Sequence, residues 1–499
     1  MTIGTALMSG AIAQAQEQPN IVLFLVDDMG PMDTSVPFVL DEHGVPQAQP
    51  LNHWYRTPNM EVLAEQGTRF TSFYAQSVST PSRISILTGC NAARHQTTNW
   101  IHNEMNNRDD YGPFEWNWMG MDSHSQSYPR LLQEAGYKTI HVGKAHLGNN
   151  LSESADPTVV GYDVNIAGGT NGHPASYYGE NGYGHIKGDK RVAVPGLEEY
   201  RGTKTHLTEA LTLEAAKEVR KAVAEKRPFY LNMAHYAVHH PFEADPRFID
   251  HYKDGSYSQI ERGPEFATLI EGMDKSLGDL LHLFDELGIA ENTLIIFLGD
   301  NGGDAPLGGA EDYGSCSPLR GKKGCAYEGG MRVPFIVSWA KPDGSNKFQQ
   351  RYSIPAGGVQ NQMATVMDLF PTIVEIAGAK TPSDYILDGS SIVKMMSGKK
   401  DKKHRDDFLM HFPHEHRSSY FTTYRKGNLK LIYRYNPETR VPTYELYDLK
   451  ADPFEKNDLS SSKPAQVRRL TRLMVKRLEQ EKALYPVDGE GRTIYPIIP

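Results

Sequence analysis

The chain has 499 residues, 39% of them hydrophobic, with 61 acidic and 52 basic side chains and a formal net charge of -9. That length exceeds one small core and points to a large α/β domain with an appendage, while the lack of any basic block excludes the electrostatic footprint of a nucleic-acid binder. The three cysteines, Cys90, Cys316 and Cys325, form no CxxC pair and allow at most one disulfide, so packing has to hold the fold.

From the N-terminus, residues 1–18 hold an apolar stretch ending in Ala13-Gln14-Ala15, read as a secretory leader that lacks the usual positive start. The expected location is periplasmic or secreted. No other stretch reaches the ~20 apolar residues that a bilayer span needs, so a soluble mature chain without a membrane span is expected. Residues 19–28 (PNIVLFLVDD) form a continuous apolar run ending in two carboxylates, the pattern of a strand buried on both faces of a parallel sheet. The pattern returns at 292–303 (NTLIIFLGDNGG) and, more weakly, at 137–148 (YKTIHVGKAHLG) and 227–242 (RPFYLNMAHYAVHHPF).

Between these runs, apolar residues at three- and four-residue spacing predict helices over 57–66, 128–135, 208–226 and 265–287. Strands alternating with helices make a doubly wound sheet, in which ligands bind beyond the carboxyl ends of the strands. Residues 103–127 and 150–205, rich in Gly, Asn, Tyr and Trp without a clear period, read as insertions that carry substrate contacts. The charged run 397–407 (SGKKDKKHRDD) reads as a solvated linker between a domain over 19–396 and a C-terminal α+β subdomain over 397–499. Within that subdomain, 420–435 and 443–449 read as short strands and 464–483 as a helix.

Residues 77–89 (SVSTPSRISILTG) place Ser79 at the start of a predicted helix, because Pro81 suits a first turn and Ile84, Ile86 and Leu87 give the next turns an apolar face. From these residues alone Ser79 reads first as a plain helix cap; the alternative is an oxygen nucleophile, favoured by the free amides below it and by Arg83 one turn on.

The run Ser79-Thr80-Pro81-Ser82-Arg83, followed by Leu87-Thr88-Gly89, resembles the signature of the type I sulfatases of the alkaline phosphatase superfamily. Similar blocks follow the family order: VDDMG at 26–30, GKAHLG at 143–148, GDNGG at 299–303, LRGKKGCAYEGGMRVP at 319–334 and ELYDLKADPFEKNDL at 445–459. Cys90 stands where the family usually has a basic residue, and Val238 replaces a usual proline.

The resemblance implies a large doubly wound mixed sheet flanked by helices with a smaller C-terminal α+β subdomain, and a sulfuric ester hydrolase. It implies that Ser79 is oxidised to formylglycine by a serine-type maturing enzyme, and that the hydrate attacks sulfur to give a covalent sulfo-enzyme. Asp27, Asp28, Asp300 and Asn301, with residue 79, offer hard oxygen ligands suited to Ca²⁺ or Mg²⁺, and the resemblance selects calcium. By the same resemblance Asp300 accepts the attacking proton, Lys144 and Lys323 hold sulfate oxygens, His239 protonates the leaving oxygen, and His146 helps deprotonate the second hydroxyl. His240 is expected to point away from His239, as on a strand.

Candidate substrate residues are His173 in NGHPASYYG and His414, His416 and Arg417 in HFPHEHRSSYF, groups suited to sugar hydroxyls and neighbouring anions. The expected substrate is a sulfated sugar or glycan, attacked from its end. Two other readings stand beside it: a phosphomonoesterase or phosphodiesterase that uses unmodified Ser79, and an inactive glycan-binding protein of the same fold.

Overall fold

The four apolar runs form fully buried strands. A computed structural model describes residues 18–499, so the leader reading falls outside the described residues except at residue 18. In chain order the strands are β1 (Asn20–Val26), β2 (Thr68–Phe70), β3 (Phe73–Tyr74), β4 (Lys138–Gly143), β5 (Val164–Ile166), β6 (Phe229–His235), β7 (Thr293–Gly299), β8 (Phe335–Trp339), β9 (Gly358–Gln360) and β10 (Ala364–Thr365). The C-terminal part adds β11 (Asp407–Phe412), β12 (Phe421–Lys426), β13 (Leu429–Arg434) and β14 (Thr443–Asp448). The longer helices are α1 (Pro58–Gln66), α2 (Ser79–Thr88), α3 (Tyr128–Glu134), α4 (Leu207–Ala224), α5 (Gly263–Glu286), α6 (Leu369–Ala377) and α7 (Pro464–Gln480).

The main sheet has eight strands in the order β5-β4-β6-β1-β7-β8-β2-β9. The run from β5 to β7 is parallel, whereas β8 pairs antiparallel with both β7 and β2, which makes the sheet mixed. Alternation along the central strands feeds two cores, one on each face. Val22, Phe24 and Val26 face one core with Leu231, Met233, Ile295 and Phe297, under α1, α4 and α5. Ile21, Leu23 and Leu25 face the other with Ile296 and Leu298, under α2, α3 and α6. The helix that begins at Ser79 is therefore seated on the sheet by Ile84, Ile86 and Leu87.

Residues 397–406 carry no helix or strand, and β11 starts directly after them. Strands β11 to β14 form an antiparallel sheet in sequence order. One face, with Phe408, Met410, Phe421 and Ile432, packs on Tyr74, Tyr327 and Met331 of the large domain; the other, with Leu409, Leu431 and Leu446, takes Leu470, Met474 and Leu478 of α7. Lys430 is fully buried at this junction, its Nζ 2.6 Å from Glu455 and 3.1 Å from Glu328. The three cysteines are buried and unpaired.

Helix α1 shows how distant segments complete one another. Its N-cap residue, Thr57, makes no side-chain cap hydrogen bond. Instead Asp274, from the middle of α5, accepts from the amides of Asn59 (3.0 Å) and Met60 (2.8 Å) and from the Asn59 side chain (2.8 Å). A buried carboxylate thus satisfies free amides of the first turn in trans. Asp274→Ala is expected to lower stability by about 1–3 kcal/mol, read as a lower denaturation midpoint in urea, because it leaves those amides buried without acceptors.

Candidate active site

Because β1, β4, β6 and β7 run parallel, their carboxyl ends open on one edge of the sheet. Each delivers its polar residues there: Asp27 and Asp28 after β1, Lys144 and His146 after β4, His239 after β6, Asp300 and Asn301 after β7. Backbone bonds extend the strand register into these ends, from Asp300 to the Val26 carbonyl (3.1 Å), from Asp27 to Ala237 (2.9 Å) and from Lys144 to Ala234 (2.7 Å). Ser79 enters the same edge as the first residue of α2, after Val78 at the N-cap position.

The Ser79 hydroxyl lies 3.1 Å from Asp27 Oδ1 and 3.2 Å from Asn301 Oδ1, and accepts from Lys144 Nζ at 3.0 Å. Lys144 also bridges both Asp27 oxygens at 2.8 and 2.7 Å. Arg83, one turn below Ser79, donates to Asp300 Oδ2 through Nε at 2.9 Å and to the Lys144 carbonyl at 2.7 Å. Asp300 Oδ1 accepts from the Asp28 amide at 3.0 Å, so this carboxylate stands one layer behind the hydroxyl. On the far side of Asp28, Lys323 Nζ sits 2.7 Å from Oδ1, and His239 Nε2 lies 3.5 Å from Oδ2.

Asp27, Asp28 and Asp300 bring ligand oxygens within 4.8 Å of one another, all three side chains buried. Burial drives Asp27 up to about 8 against the pull of Lys144, and repulsion from Asp300 and Asp28 adds to the rise. Burial opposes charge on Asp28 and Asp300 too, but His239 and Lys323 hold the first below the usual carboxylate range, and Arg83 and Lys144 hold the second there. Three carboxylates thus meet three cations, Lys144, Lys323 and Arg83, at the strand ends. With the amide oxygen of Asn301 the carboxylates form an all-oxygen donor set, which fits a hard divalent cation and not zinc.

His146 is buried under Thr80, its Nε2 2.8 Å from the Ile101 carbonyl, and burial together with Lys144 holds its imidazole well below the ordinary value. His239 is lowered in the same way, by burial first, with Asp28 opposing. The site opens into a cleft of about 330 Å³ lined by Ser79, Lys144, His146, His239 and Lys323 together with loop residues. His173, His416 and Arg417 line it as well.

His414 does not. It is fully buried, with Nε2 2.8 Å from Thr98 Oγ1 and its ring against Trp116, a packed position inside the subdomain junction. His240 departs from the strand expectation, because β6 ends at His235. Its ring packs on His173 (centroids 4.5 Å) and His239 (4.4 Å) in the same cleft. Trp100, Ile101, His102, Asn103, Gly172, Val192 and Asp304 line it too, none of them a candidate site residue from the sequence. Asn103, Gly172 and Val192 fall in the two insertions read as carrying substrate contacts, and Asp304 is the acidic residue that follows GDNGG.

Comparison with known proteins matches the sulfatase family profile to residues 19–379. The chain belongs to the sulfatase family. It is a sulfuric ester hydrolase, and the profile of the C-terminal region of N-sulphoglucosamine sulphohydrolase matches residues 322–483, overlapping the first. The sulfatase is 30% identical over 513 aligned residues to the N-acetylgalactosamine-6-sulfatase of Canis lupus familiaris, across 95% of this chain and 88% of that one. It is 28% identical to a sulfatase of Formosa agariphila, across 91% and 86%. A solved structure of Ps i-CgsB in complex with k-i-k-neocarrahexaose superposes with a TM-score of 0.72 at 25% identity, covering 95% of this chain and 96% of that one.

One glycine in this sulfatase guards the site by close approach. A Cβ at Gly172 would lie 2.8 Å from His146 Cε1 and 3.2 Å from its Nε2. Gly172→Ala is therefore expected to displace the imidazole from the Ile101 carbonyl and to lower kcat by at least about tenfold while the melting temperature changes little, as steady-state kinetics beside a thermal melt will show.

Proposed function

We propose that this enzyme is a calcium-dependent carbohydrate sulfatase that uses formylglycine at position 79. The observation that carries the reading is the Ser79 oxygen on the tip of α2, within hydrogen-bond distance of Asp27, Asn301 and Lys144. When bound and formed, calcium held by Asp27, Asp28, Asp300 and Asn301 would supply charge stabilisation, and the formylglycine hydrate would supply the nucleophilic hydroxyl.

The chain's own groups provide the rest. Lys144 and Lys323 stand on either side of the aspartate pair, placed to hold two oxygens of a sulfate as its negative charge grows. His239 Nδ1 is engaged by the His240 carbonyl at 3.0 Å, leaving Nε2 toward the cleft and 3.5 Å from Asp28, the carboxylate that opposes the effect of burial and favours a proton on it for a departing alcohol. His146, with Nε2 at 2.8 Å from the Ile101 carbonyl and Nδ1 at 3.4 Å from Thr80 Oγ1, would serve as the base beside residue 79. Arg83 keeps Asp300 charged and oriented.

The substrate is proposed to be a sulfated sugar at the end of a glycan. Its support is a cleft near the small end of the ~300–1,000 Å³ range of ligand pockets, walled by imidazoles and Trp100. The relatives' names make sulfated galactosamine the first sugar to test. Export to the periplasm or medium is proposed from the Ala13-Gln14-Ala15 pattern; among the described residues no helix is long and apolar enough to cross a membrane.

Peptide mass spectrometry of protein from its native host is expected to show residue 79 lighter by the two hydrogens of serine oxidation, about 2 Da. Sulfate release from 6-sulfated N-acetylgalactosamine and a panel of sulfated monosaccharides is expected to be abolished by Ser79→Ala. Turnover by protein whose Ser79 is wholly unmodified would falsify the formylglycine route. Addition of calcium to chelator-treated protein is expected to raise the melting temperature, and Asp28→Asn to remove most of that rise; a melting temperature indifferent to calcium overturns the metal assignment.

A further inference from the structure

Asp304 is out of place in an anion-binding cleft. It lies three residues beyond Asn301 and lines the cleft together with Lys323. A free carboxylate there would repel an incoming sulfate and compete for the lysine that should hold it. The structure answers this from the second module. Arg417, in the turn between β11 and β12, grips Asp304 with a two-pronged contact, Nη1 to Oδ1 at 2.5 Å and Nη2 to Oδ2 at 3.0 Å. The same Nη1 donates to the Lys323 carbonyl at 3.1 Å.

The backbone around Lys323 is fastened at every turn. The Lys323 amide donates to Gly303 (3.0 Å), the Gly324 amide to Ser77 (2.8 Å) just before the nucleophile helix, and the Ser418 amide to the Gly324 carbonyl (3.0 Å). Gly324 has φ +80°, and a Cβ there would lie 2.3 Å from the His416 ring, so the turn rests directly on the lysine segment. Lys322 Nζ, at 3.4 Å, is a further partner for Asp304, whereas Lys323 Nζ points to Asp28.

We infer that Arg417 is a positioning residue and not a substrate contact: it neutralises Asp304 and pins the Lys323 backbone, so that the Lys323 ammonium stays committed to the sulfate side of the site. The role rests on the sulfate-holding function proposed for Lys323. It explains why a guanidinium lining the cleft spends its donor edge on protein oxygens. It also gives the C-terminal subdomain a direct part in the chemistry of strand ends built by the large domain.

The test is the binding of inorganic sulfate to the full-length, calcium-supplemented protein, measured by calorimetry for wild type, Arg417→Gln, Asp304→Asn and the double variant. Arg417→Gln is expected to weaken sulfate binding at least about tenfold, through the uncovered carboxylate. Asp304→Asn alone is expected to bind sulfate no more weakly than wild type. The double variant is expected to recover to within about threefold of wild type, a rescue that neither loss of fold nor loss of a direct contact produces.

A double variant as weak as Arg417→Gln means that the guanidinium touches the anion itself, and overturns the inference. So does an Arg417→Gln variant that binds like wild type. If Arg417→Gln does not fold, Asp304→Asn still decides: weaker sulfate binding in that variant shows that the carboxylate helps rather than threatens the site. Turnover separates the two readings. A wild type that shows this binding pattern but releases no sulfate from any sulfated sugar removes the carbohydrate-sulfatase reading and leaves the role of Arg417 intact.

Discussion

Three carboxylates held together away from water are the constraint around which this molecule is arranged. Asp27, Asp28 and Asp300 cannot avoid one another, because adjacent parallel strands end side by side and place the following residues at one edge. Like charges in a buried setting are tolerable only if positive charge is brought to them. Lys144 answers Asp27, Lys323 answers Asp28 and Arg83 answers Asp300, with the free amides at the start of α2 adding a weaker contribution. The clustered carboxylate oxygens suit a hard divalent ion, and the cations around them suit the outer oxygens of a sulfate. One electrostatic problem therefore yields both halves of an ester-cleaving site.

The supporting architecture is economical in its use of each strand. Alternate residues of β1 anchor different cores, so its carboxyl end is held from both faces of the sheet. The C-terminal sheet places no strand end at the site, yet it lines the cleft and reaches the site through the turn that carries His416 and Arg417. A buried Lys430 between Glu328 and Glu455 makes the junction sensitive to the loss of any one partner.

Much of this was legible from residue order. Buried parallel strands announce themselves as unbroken apolar runs, so β1 and β7 could be read with their terminal carboxylates, and the helix starting at Ser79 followed from Pro81 and the Ile84-Ile86-Leu87 face. What could not be read depends on contacts across large sequence separations. Strand β5 is only three residues long and hides in an irregular insertion, and β8 is antiparallel for reasons of topology that local pattern does not carry. The expectation that His240 faces away from His239 holds only for a strand, and β6 ends at His235. His414 and His416, two residues apart, part company because one is packed between Thr98 and Trp116 while the other sits on Gly324. Asp304 was passed over because only its encounter with a turn more than a hundred residues later gives it meaning.

The burial of Ser79 has a consequence for timing. The residue is 3% exposed, at the floor of a cleft walled by groups from strand ends and a distant turn. No second enzyme could seat its own reactive centre on that carbon once the sheet has closed. Any chemical conversion of this residue would therefore have to happen while the polypeptide is still open, in a race against the folding of the chain that carries it.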